Sequence, residues 1–124
     1  MRVLLVGVGG FLGSSARYLA GGVVHRYLPS SFPYGTFLIN VTGCLAIGFL
    51  GVLAEERGSL GPEGRLFWMI GVVGGYTTFS TFGYETLSLL RDGRLGAALF
   101  NAAGQVLIGL AAVWIGAIAA GRLP

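Results

Sequence analysis

The sequence contains no lysine, one histidine, one cysteine and only five carboxylates among 124 residues. Each scarcity removes a class of function. A nucleophile with its base, or a general acid–base pair, needs titratable groups close together, and no apolar stretch here pairs two carboxylates. A metal centre built from His, Cys and carboxylates lacks ligands. Cys44 has no partner for an internal disulfide; it reads as a small packing residue and leaves the redox compartment open. His25 reads as a solvated residue of the first loop. The chain is therefore expected not to be an enzyme. Its net charge of +3 comes from eight arginines scattered over loops and span ends, with no basic block, which argues against a nucleic-acid partner.

What is abundant is apolar surface. Apolar residues make up 54% and charged residues 10% of the chain, far from the roughly one-quarter charged residues of soluble domains. The mean hydropathy of +0.78 agrees. Apolar stretches fall at residues 3–24, 34–54, 65–90 and 95–120, each near the ~20 residues needed to cross ~30 Å of hydrocarbon. These lengths predict a single domain over residues 1–124, made of four transmembrane helices in a lipid bilayer. The first stretch is too long and too rich in glycine for a cleavable signal and is expected to be retained.

Four spans place Arg2, Arg57, Arg65 and Arg122 on one side, and Arg26, Arg91 and Arg94 on the other, joined by Arg17 if it faces that way. Orientation normally follows an excess of cations on the cytoplasmic side, and this chain has none. A small protein inserted both ways can pair with its own inverted copy, so an antiparallel homodimer is expected. The 23 glycines favour close helix packing. Gly9 and Gly13, and Gly71 and Gly75, have GxxxG spacing, and Gly109 and Gly116 lie a heptad apart. Gly7, Gly10 and Gly13 also mimic a dinucleotide-binding turn. That turn needs an acidic residue about 20 positions on, and none occurs before Glu55, so these glycines read as packing contacts.

The segment of residues 74–85, Gly-Gly-Tyr-Thr-Thr-Phe-Ser-Thr-Phe-Gly-Tyr-Glu, sets hydroxyls, glycines and a carboxylate inside an apolar run. In hydrocarbon such a patch is tolerated where it lines a cavity, packs on protein or holds an ion. Gly74-Gly75 followed by Thr77-Thr78 suggests a break in the third helix, whose freed carbonyls suit a hard monovalent cation and whose second half begins with an anion-favouring N-terminus. Phe79 and Phe82 share one side of a helix. Their ring edges carry the positive part of the quadrupole and suit a small anion, although plain core packing explains them too. Thr77, Thr81, Tyr84 and Ser88 follow the neighbouring stripe, and Glu85 closes it as proton carrier, hydrogen-bond partner or interfacial charge. Arg17, deep in the first span, either lowers the barrier for an anion, pairs with a buried acceptor or snorkels. Asn40 shares a face with Thr36 and Gly43, and its amide either donates to a desolvated anion or bridges helices. Asn101 and Gln105, one turn apart, form a polar ladder beside a pore or glue between helices.

Three ordered motifs carry a resemblance: Gly9-Gly-Phe-Leu-Gly-Ser-Ser-Ala-Arg-Tyr18, Gly35-Thr-Phe-Leu-Ile-Asn-Val-Thr-Gly43 and the segment ending at Glu85. Over nearly its full length the chain resembles the CrcB/Fluc fluoride channels of bacterial cytoplasmic membranes. The resemblance implies an all-α protein with a broken third helix, forming a dual-topology antiparallel homodimer in the bacterial inner membrane. Two fluoride pores at the subunit interface would release cytoplasmic fluoride passively. By the same resemblance the pore asparagine is Asn40 and the paired pore phenylalanines are Phe79 and Phe82. The hydroxyl and carboxylate track is Ser80, Thr81 and Glu85, and the vestibule arginine is Arg17. A structural Na⁺ at the dimer centre falls on the backbone carbonyls of Gly74 and Thr77. Many relatives carry Tyr then Ser one turn apart on the fourth span, where this chain has Asn101 and Gln105, so its polar lining departs from theirs. The rival class is a small-multidrug-resistance-type proton-coupled exporter, also a four-span dual-topology dimer. Such a transporter needs a membrane-embedded Glu in its first span, where this chain has Arg17 and no acid.

Overall fold

The computed structural model describes residues 1–123, and every regular element among them is helical. Helix α1 spans Arg2–Tyr27 and α2 spans Tyr34–Glu55. The turn between them follows from proline. Leu28 precedes Pro29 and is extended, as residues before proline are, while Pro33 stands at the N-cap of α2. The third helical unit, α3, starts with Pro62 in its first turn, where a missing N–H costs nothing. It runs through three abutting stretches, Pro62–Gly64, a π-helical Arg65–Val73 and Gly74–Tyr76. Helix α4 is Phe79–Arg91 and α5 is Leu95–Gly121. The α4–α5 turn is a Schellman motif: Gly93, at φ +70°, donates to Leu90, and Arg94 donates to the Leu89 carbonyl.

Helices α1, α2 and α5 are long and apolar enough to cross a membrane. The third span is broken, as expected, into two pieces, α3 and α4, separated by Thr77 (ψ 158°) and Thr78 (φ −149°, ψ 111°). The break therefore lies at the threonines, and Gly74 and Gly75 stay helical. Gly75 serves packing against Gly10, whereas Gly74 has no close neighbour outside its own helical unit. Thr78 supplies the N-cap of α4, its hydroxyl accepting from the Thr81 N–H at 3.3 Å, which is why the helix restarts there.

Close glycine crossings hold the bundle together. A methyl group on Gly13 would come to 2.1 Å from the Val72 carbonyl oxygen, and one on Gly75 to 2.7 Å from the Gly10 carbonyl oxygen. Gly9 and Gly71 likewise meet with backbone facing backbone, so both GxxxG pairs lie on the α1–α3 contact. Such an approach supplies the dispersion and packing that drive association in lipid, where the hydrophobic effect gives nothing. On the other side, Gly48 meets the Val113 carbonyl and Gly116 the Leu45 carbonyl, locking α2 to α5. The first half of the broken unit is thus packed on α1, and its extended Thr78 meets the Asn40 side chain of α2.

Candidate ion site at the helix break

The face of α2 formed by Thr36, Asn40 and Gly43 meets the broken unit residue by residue. Thr36 donates to Glu85 Oε1 at 2.8 Å. Asn40 Oδ1 accepts the Thr78 N–H at 2.9 Å while its Nδ2 donates to the Thr78 carbonyl at 3.2 Å. At Gly43, a side chain would collide with the Thr77 methyl. Asn40 thus does for the extended Thr78 what a neighbouring strand would do. Breaking a helix inside hydrocarbon orphans backbone groups that each cost several kcal/mol, and side chains must replace the lost partners.

Other polar groups complete that replacement. Arg17 Nη1 donates to the Thr77 carbonyl at 3.3 Å, and Ser14 Oγ to the Gly75 carbonyl at 3.4 Å. Arg17 therefore sits on a backbone acceptor beside the break. Thr78 N–H, which in a continuous helix would bond the Gly74 carbonyl, is turned to Asn40 instead.

An open cavity of about 390 Å³ lies at the break. Asn40, Phe79, Phe82, Gln105, Gly74 and Thr77 are among its lining residues, so six of the expected site residues meet on one wall system. Phe79 and Phe82 are 5.4 Å apart between ring centroids and tilted by 44°. Phe79 is 83% exposed, an unusual state for a phenylalanine that serves only core packing. Ser80 and Thr81 lie at the exposed start of α4, both near the Thr78 hydroxyl, which donates to Thr81 Oγ1 at 2.9 Å.

Arg17, Ser80 and Thr81 lie beside the break without lining this cavity, and the other two expected residues lie elsewhere. Asn101 is fully buried and does not line this cavity; its Nδ2 donates to Thr86 Oγ1 at 2.9 Å, tying α5 to α4. Glu85 lines a second cavity of about 230 Å³ with His25, Ser88, Asp92 and Arg94, toward the end of the bundle. Its Oε2 is buried without a hydrogen-bond partner. Thr78, expected only as part of the break, and Thr86, unassigned from the sequence, emerge as key anchors. The N-cap pattern before Phe79 was the available signal for Thr78; nothing in the sequence singles out Thr86.

The family model described as CrcB-like protein, Camphor Resistance (CrcB), matches residues 4–117. This chain belongs to the CrcB family. Among the relatives of the CrcB chain, a protein of Nitratidesulfovibrio vulgaris named "Fluoride-specific ion channel FluC" is 48% identical over 98% of both chains. Proteins of the same name from Methylobacillus flagellatus and Solibacter usitatus are 46% and 45% identical, covering 93% and 98% of this chain and 91% and 100% of their own. The names of these relatives are those of ion channels and not of enzymes.

The residues of this CrcB protein can be tested against the implied sodium ion. Backbone carbonyls are neutral hard oxygens of the type a monovalent cation takes. Gly74 carries a carbonyl whose helical donor has been diverted, and Thr77 carries one with a lone pair left beside the Arg17 bond. The donor chemistry fits. Two oxygens are fewer than a hard cation takes, so one copy of the chain offers only part of a coordination shell.

Proposed function

We propose that this CrcB protein is a fluoride-selective channel that passively exports cytoplasmic fluoride through two pores at the interface of an antiparallel dual-topology homodimer in the bacterial inner membrane. The single observation that carries the proposal is the cavity at the break, where the Asn40 amide and the Phe79 and Phe82 rings share one wall. The name of the close relatives supplies the ion.

Fluoride is small and strongly hydrated, so a conducting wall has to replace water with oriented donors and positive ring edges while holding the ion weakly enough for release. Asn40 is held in place by Thr78 and lines the cavity. Phe79 and Phe82 flank it with tilted rings whose edges present positive potential. Ser80 and Thr81 extend the polar track from the N-terminus of α4, and the Glu85–Thr36 pair lies further along it. Arg17 places a cation beside the break and lowers the electrostatic barrier for an anion.

A structural Na⁺ at the dimer centre would be held by the Gly74 and Thr77 carbonyls of both copies, neutralising the carbonyl ends that meet there. Survival of a fluoride-sensitive bacterial strain tests the function. Expression of the wild-type chain is expected to restore growth on added fluoride and expression of Asn40→Asp is not; no rescue by the wild type contradicts the proposal. The drug-exporter alternative finds no acid in α1 on which to exchange protons.

A further inference from the structure

A directed chain of hydrogen bonds ends on Asn40. Thr86 Oγ1 donates its only proton to the Phe82 carbonyl at 2.7 Å. It can then only accept from Asn101, whose Nδ2 lies 2.9 Å away. Asn101 must therefore turn Oδ1 toward Gln105, which donates from Nε2 at 3.0 Å. Gln105 in turn presents Oε1 to Asn40 Nδ2 at 2.7 Å. The usual ambiguity between amide O and N is removed at every link, because each carbonyl or used hydroxyl permits one assignment. Reasoning from the other end gives the same answer: the Thr78 N–H is an obligate donor, so Asn40 Oδ1 faces it.

Asn40 therefore has two N–H bonds, one committed to the Thr78 carbonyl and one to Gln105 Oε1. The Thr78 bonds alone fix the amide's orientation. Gln105 adds no orientation that Thr78 has not already imposed; it adds an acceptor. Both Asn40 and Gln105 line the cavity at the break.

We infer that the Gln105 carbonyl oxygen stands in for the ion on the cavity-facing N–H of Asn40, so that Gln105 is an internal competitor that sets how tightly the pathway holds a small anion. This rests on the proposed fluoride function of the same cavity. An anion reaching Asn40 has to displace Gln105 Oε1, and the Asn101–Thr86 links hold Gln105 in place against it. Competition of this kind weakens binding and speeds release, which a conducting site requires.

The test compares fluoride efflux from proteoliposomes, over a range of fluoride concentrations, for the wild type and Gln105→Met, which keeps the side-chain length but removes the acceptor. Half-saturation of Gln105→Met is expected at about fivefold lower fluoride, the factor that one net hydrogen bond is worth. If Gln105→Met does not yield a monodisperse protein, Gln105→Ser, whose short hydroxyl is held back from Asn40, replaces it with the same expectation. A second readout separates competition from mere packing. On adding fluoride, the side-chain amide NMR signals of Asn40 and Gln105 are expected to shift together in the wild type, and the Asn40 signal of Gln105→Met to shift at correspondingly lower fluoride. A wild type that passes fluoride while the variant half-saturates at an equal or higher concentration, or an Asn40 signal that fluoride does not move, overturns the inference and leaves the channel function standing. A wild type that passes no fluoride overturns both.

Discussion

Asn40 and Thr78 are joined by two hydrogen bonds, with the Asn40 amide accepting from the Thr78 N–H and donating to the Thr78 carbonyl. One side chain thereby meets both backbone groups of a residue that has left the helix. Asn40→Asp removes the donor and sets an oxygen against the Thr78 carbonyl and Gln105 Oε1, as well as a negative charge beside the pathway. With roughly 1–3 kcal/mol at stake per unsatisfied buried group, fluoride efflux is expected to fall by about tenfold or more. Efflux within a factor of two of the wild type would contradict the role given to Asn40.

Thr36→Val is expected to destabilise the protein in detergent. Glu85 Oε2 is already without a partner, and the substitution takes the Thr36 donor from Oε1. A net hydrogen bond is worth about 0.5–1.5 kcal/mol, so the thermal midpoint should drop by a few degrees and Thr36→Ser should restore it. An unchanged midpoint would mean that Glu85 draws its support from elsewhere.

Arg17→Ala leaves the Thr77 carbonyl without its side-chain donor and removes the cation nearest the break. Reduced fluoride efflux is expected, with Arg17→Lys recovering part of it because the charge returns without the planar fork. Full activity of the alanine variant in a normally folded protein would show that Arg17 only snorkels.

Gly13→Ala is expected to destabilise the bundle, since its methyl would lie 2.1 Å from the Val72 carbonyl oxygen and force α1 off α3. Overpacking of this kind costs about 1–3 kcal/mol. Gly7→Ala has nothing within 4 Å in the protomer and should be neutral or stabilising by up to about 1 kcal/mol, the helix-propensity gain. Thermal unfolding of the two variants side by side checks the contrast.

Much of the fold was legible in the sequence because lipid imposes a strong pattern. Span length and hydropathy located α1, α2 and α5 within a few residues, and the glycine spacings marked the α1–α3 crossing. The break was visible in the run Gly74-Gly75 followed by Thr77-Thr78, and it falls on the threonine half of that run. Glycine's low helix propensity is overridden where its missing side chain lets two backbones touch, whereas a threonine can cap a restarting helix. The face of Thr36, Asn40 and Gly43 followed from helical periodicity alone. What it faces did not, because pairing between α2 and α4 depends on how the broken unit sits. Asn101 and Gln105 have the same spacing whether they line a pore or join helices. In the fold they divide these tasks, Gln105 at the cavity and Asn101 buried against Thr86.

The most direct test of the central claim is fluoride release from liposomes containing the purified wild-type chain, followed with a fluoride electrode and with no proton gradient or drug present. Rapid fluoride efflux down its gradient is expected, lost in Asn40→Asp, with chloride retained. Fluoride held inside liposomes that contain folded protein, or release of chloride as fast as fluoride, would contradict it.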